Sequence, residues 1–96
     1  MPYTPSRLEW LAVALSARGR VELSTTTGYS IDFVPIENEN TILIFVTYVP
    51  SIVEREIMNT QIEGARQAIA IESKSRGWSS WLKVREKVEM HELKKH

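Results

Sequence analysis

The sequence predicts a two-layer α+β domain, ordered as a helix, a three-stranded antiparallel meander, a long helix and a short C-terminal helix. Three observations lead there. Apolar residues follow a helical period up to Arg18, alternate with period two from Arg20, and return to helical spacing after Pro50. Ser6-x-x-Glu9 and Ser51-x-x-Glu54 read as capping boxes that open the first and second helices. Gly19 and Gly77 stand where those two helices need a left-handed stop.

The first helix gains a second start signal from Thr4-Pro5, a capping hydroxyl followed by the residue best suited to the first helical position. Leu8, Leu11, Ala12 and Leu15 make one stripe, while Trp10, Val13, Ala14 and Ala17 cover much of the opposite side. An apolar surface this wide calls for a cover beyond one sheet face. Val21, Leu23 and Thr25 then alternate with Glu22, Ser24 and Thr26 as a half-exposed strand, and Thr27-Gly28 supplies the turn. Tyr29, Ile31 and Phe33 share one face of the second strand, with Ser30, Asp32 and Val34 on the other. Pro35 ends that strand, marks a bulge or keeps it at an edge, because it has no N–H for a ladder.

Thr41 to Val49 is the strongest strand, apolar on both faces and free of charge. Such a run is normally covered on both sides. The long helix is expected to reach Ser75 or Arg76. One of its stripes holds Val53, Ile57, Gly64, Ala68 and Ile71, and a second holds Met58, Ile62, Ala65 and Ile69. Trp78 to His96 reads as a weakly amphipathic helix, with Trp81, Val84 and Val88 aligned, and residues 90–96 form a frayed tail of the single domain 1–96. The layout of helix, three-strand meander and long helix is similar to the first half of small secretion-chaperone folds, which dimerise and bind partner segments. Those continue with two more strands and are typically acidic, unlike this chain.

Composition excludes more than it identifies. No cysteine is present, which removes disulfides, thiolate metal sites and cysteine nucleophiles and fits the cytoplasm. Trp10 to Leu15 is too short to span a membrane, and the N-terminus is too poor in cations for a signal peptide, so no membrane insertion is expected. His91 and His96 are five apart, about 140° round a helix, too far apart to share an ion. The single aspartate, Asp32, alternates onto a polar strand face, and the glutamate pairs Glu37/Glu39 and Glu54/Glu56 suit turn and helix-end roles. No phosphate-loop pattern occurs. No catalytic residue, metal ligand or cofactor is therefore assigned.

Charge is balanced overall, with twelve basic and twelve acidic residues, yet it is unevenly placed. Residues 74–96 carry seven basic and three acidic side chains, whereas residues 1–73 carry five and nine. The sequence thus favours a non-enzymatic protein-interaction module, homodimeric and cytoplasmic, binding a protein partner through apolar helix or strand-edge surface. The candidate interface is Trp10, Val13, Ala17, Leu43, Phe45, Gly64 and Ala68. Two grounds support a homodimer. In a meander the uncharged third strand lies at an edge that invites pairing. Gly64-x-x-x-Ala68 marks close backbone approach, either to a second helix or to the chain's own sheet. The alternative is a nucleic-acid binder that uses the basic C-terminal helix, with Trp78, Trp81, Lys83, Arg85, Lys87 and Lys94 in contact.

Overall fold

A computed structural model describes residues 6–19 and 28–92. Helix α1 (Arg7–Gly19) is followed by strands β1 (Tyr29–Ile36) and β2 (Thr41–Tyr48), helix α2 (Arg55–Arg76) and strand β3 (Lys83–Met90). The sheet order is β1-β2-β3, with β1 antiparallel and β3 parallel to β2. The strand expected over residues 20–26 lies outside the described residues.

The capping logic holds at α1, where Ser6 Oγ accepts the Glu9 N–H at 3.2 Å and its hydroxyl donates to the Glu37 carboxylate. The second capping box does not form. Residues 49–53 make a turn instead, with the Ile52 and Val53 N–H groups donating to the Val49 carbonyl, and α2 begins three residues later than that box implies, behind Glu54. Gly77 ends α2 in the left-handed conformation, and the Gly77 and Trp78 N–H groups donate to the Lys74 and Ser73 carbonyls. Gly28 is left-handed too, with φ 73°.

Two expectations are corrected. The segment read as a C-terminal helix holds strand β3 at Lys83–Met90 and no described helix. Lys83, Arg85, Lys87 and Glu89 alternate with Val84, Glu86, Val88 and Met90, and both valines pack against the core. The open edge of β2 supplies the ladder, which Lys83 N–H to Asn40 carbonyl and His91 N–H to Tyr48 carbonyl extend at both ends. Backbone pairing decides between helix and strand where local amphipathicity is weak. The sheet is consequently mixed rather than an antiparallel meander, and the layout similarity to secretion chaperones falls with it. The strand placed at an edge is the central one, because β3 occupies its second side. The uncharged edge that argued for strand pairing is already filled within the chain.

Both helices pack on one sheet face. Ile42, Ile44, Val46 and Tyr48 meet Leu8, Leu11, Ala12 and Leu15 from α1 and Met58, Ile62, Ala65 and Ile69 from α2. The core therefore uses one stripe of each helix, with Val53 and Ala68 joining it from the second stripe of the long helix, and leaves Trp10, Val13, Ile57, Gly64 and Ile71 outside.

Candidate interaction surfaces

The opposite sheet face carries no described helix. Along it β1 contributes Ser30, Asp32 and Val34, β2 contributes Leu43, Phe45 and Thr47, and β3 contributes Lys83, Arg85, Lys87 and Glu89. The register sets these side by side, since paired residues project to the same side. Leu43 lies between Val34 and Arg85, Phe45 between Asp32 and Lys87, and Thr47 between Ser30 and Glu89. Leu43 and Phe45 are half-buried and Val34 is exposed. The result is a short apolar row with Asp32 at one border and, at the other, Lys83, Arg85 and Lys87 together with Glu89.

At one end of this face Asn38, Glu39, Thr41, Lys83, Val84 and Arg85 line a depression of about 720 Å³. Asn40 turns the chain there in a left-handed conformation, and the buried Thr41 hydroxyl donates to the Glu39 carbonyl. Arg85 reaches across the depression to Glu39 at 2.6 Å, and Lys87 lies 3.5 Å from Glu89. Both pairs are well exposed, so each adds little to stability. They do hold the cations close to the sheet.

The outer side of the helical layer is the second surface. Trp10 and Val13 on α1 are 56% and 61% exposed, and Ile57 and Ile71 on α2 are 50% and 63% exposed. A Cβ added at Gly64 would meet nothing within 4 Å, so this glycine does not pack on its own sheet, one of the two roles open to it from sequence. Ala68 is half-buried against the core.

The sequence-derived interface residues therefore do not converge. Trp10, Val13 and Gly64 face outward from the helices, Leu43 and Phe45 lie on the uncovered sheet face, Ala68 belongs partly to the core, and the side chain of Ala17 lies outside the described set. Val34, Ile57 and Ile71 were not singled out. Their signal was present in the sequence, with Ile57 and Ile71 on the stripe of Gly64 and Val34 on the strand face opposite Phe33.

The nucleic-acid set is likewise divided. Trp78 and Trp81 have ring centroids 5.4 Å apart, with the Arg7 guanidinium 4.5 Å from the Trp81 ring and Arg76 5.3 Å from the Trp78 ring. These half-buried rings join the start of α1 to the loop after α2 and are occupied by that contact. Lys83, Arg85 and Lys87 share the uncovered sheet face beside Phe45. Lys94 lies outside the described residues. No helix is long and apolar enough to cross a membrane among the described residues. Protein-family models, curated proteins and solved structures yield no match to this chain.

Proposed function

We propose that this chain is a non-enzymatic protein-interaction module that works as a homodimer, with the uncovered sheet face as its partner surface. One observation carries the reading: Leu43 and Phe45 form an apolar centre bordered by cations on β3 and by Asp32 on β1. Protein interfaces are built in this way, with a dry centre that supplies energy and a charged rim that supplies selectivity. The cation border selects a partner segment that alternates acidic and large apolar residues. A cysteine-free chain suits the reducing cytoplasm, where we place it.

The test uses labelled peptides in which glutamate alternates with leucine or phenylalanine, and a matched set with lysine in place of glutamate. Fluorescence anisotropy should show saturable binding of the acidic set, lost in Phe45→Asp with circular dichroism unchanged. Equal binding of the lysine set, or undiminished binding by Phe45→Asp, overturns the reading. The second reading, single-stranded nucleic acid on the same face, is favoured by the placing of Lys83, Arg85 and Lys87 beside one aromatic ring. It requires oligonucleotide binding that falls steeply with salt and with Lys83→Ala and Lys87→Ala together.

A further inference from the structure

We infer that two copies of this chain pair β3 with β3, antiparallel, about a two-fold axis at Val88, and so join their sheets into one of six strands. The inference rests on the homodimeric part of the proposed function and adds the seam; it is independent of what binds the sheet face.

β3 is an edge strand, paired on one side with β2. The Lys83 N–H donates to the Asn40 carbonyl and the His91 N–H to the Tyr48 carbonyl, so the odd-numbered residues of β3 turn their backbone groups toward β2. Val84, Glu86, Val88 and Met90 turn theirs to the outer side, where no strand among the described residues receives them. Such an edge is a template for pairing. The sheet's other edge strand, β1, contains Pro35, which has no N–H to give.

Self-pairing about a two-fold axis allows few registers. The axis must fall on a residue, because a midway axis would set outward backbone groups against inward ones. Charge separates the remaining choices, since like charges directly opposite each other are destabilising. An axis at Lys83, Arg85, Lys87 or Glu89 opposes that residue to its own copy. An axis at Val84 sets Lys83 against Arg85, and one at Glu86 sets Arg85 against Lys87. An axis at Met90 engages only the last three residues of the strand. At Val88 no like charges meet. Lys87 of each copy then faces Glu89 of the other on the uncovered side, and the two Val88 side chains face each other on the helix side.

Lys87 and Glu89 lie 3.5 Å apart within one chain, so the pairing closes a square of alternating charge. Met90, 70% exposed in the single chain, comes diagonal to Val88 of the second copy and gains apolar cover. The charges that keep most strands off this edge thus admit one arrangement of its own copy. β2 and the β2 of the second copy are then three strand spacings, about 14 Å, apart, so both Leu43–Phe45 rows open on the same side of the joined sheet.

The charged square supplies the test, because Lys87 and Glu89 are exposed and take no part in the core. Sedimentation equilibrium should give twice the chain mass for the natural protein. Lys87→Glu alone and Glu89→Lys alone should each weaken the dimer about tenfold or more, and the two together should restore it, with circular dichroism unchanged throughout. The chain has no cysteine, so introduced thiols meet no competitor. Position 87 of one copy lies about 4.5 Å, Cα to Cα, from position 89 of the other, whereas the two 87 positions are about 7–8 Å apart. A mixture of Lys87→Cys and Glu89→Cys chains should therefore oxidise to the mixed disulfide, and Lys87→Cys alone should stay unlinked. Rapid linking of Lys87→Cys alone means an axis at position 87 and overturns the inference. A dimer that survives both single reversals and forms no mixed disulfide uses another face, which overturns the β3 seam while leaving the homodimeric reading standing. One chain mass up to about 100 µM, far above a dissociation constant of about 1 µM, overturns both.

Discussion

Replacing Gly28 with alanine tests the joint between the sheet and the start of α2. Gly28 has φ 73°, and its carbonyl accepts the Val49 N–H at 2.8 Å, so the backbone is fixed at both ends of a close contact. An alanine Cβ would lie 2.5 Å from Ile52 Cγ2 and 2.8 Å from both Ile52 Cβ and Val53 Cγ2. Two costs add. A left-handed alanine costs roughly 1–2 kcal/mol, and forcing a methyl into a filled site costs about 1–3 kcal/mol more. The total of ~3 kcal/mol is a large share of the ~5–15 kcal/mol that holds a small domain together. Urea unfolding followed by circular dichroism should show the midpoint falling by ~1–3 M, for slopes of about 1–3 kcal/mol/M. In an Ile52→Ala background part of the loss should return, because Cγ2 is removed while Cβ stays. A midpoint shift below about 0.5 M would refute the argument, since it would mean that the turn accepts a side chain and the contact at Ile52 is slack.

Truncation and ring chemistry give two further expectations. A chain ending at Glu92 should unfold at the same urea concentration as the full chain, because β3 ends at Met90 and the His91 N–H bond to Tyr48 is kept. A chain ending at Leu82 should aggregate, since it bares one edge of β2 and takes Val84 and Val88 away from the core; light scattering distinguishes the two, and a clear, folded solution of the shorter chain would count against the parallel pairing. Arg7→Ala should cost ~0.5–1 kcal/mol and increase acrylamide quenching in a Trp10→Phe background, because the guanidinium 4.5 Å from the Trp81 ring is removed. Unchanged quenching would mean that Arg7 does not shield the rings.

What the sequence disclosed followed from local rules. Ser6, Gly28 and Gly77 announced a helix start, a turn and a helix stop, because hydrogen-bond capping and positive φ need few neighbours. The stripes Leu8-Leu11-Leu15 and Met58-Ile62-Ile69 were both recognisable and both buried. The C-terminal strand was misread because Val84 and Val88 are spaced for either a helix or a strand. The decisive partner, the free edge of β2, is some forty residues away. That one error displaced β2 from centre to edge and carried the pairing argument with it. α2 carries two apolar stripes of similar strength, Ile57-Gly64-Ile71 and Met58-Ile62-Ile69, and only packing showed which one the sheet takes. Leu43 and Phe45 were named from the sequence, but their charged neighbours Asp32, Arg85 and Lys87 come from strand register, which no single segment encodes.

The parallel pairing of β2 with β3 also dictates an order of events. β1 and β2 can zip through a single 3₁₀ turn at Glu37–Glu39, whereas Thr41 meets Lys83 only after the whole of α2 has been laid across the sheet. Closing so long a loop delays the contact. Until then, the uncharged strand Thr41–Tyr48 has one bare side, and during synthesis it waits for a segment made some forty residues later. The segment that finally covers it is rich in lysine, arginine and glutamate, the side chains that discourage further strand addition. A late-arriving charged strand thus ends a window of vulnerability to misassembly, and the rate of that last step sets how long a newborn chain stays exposed to its own copies.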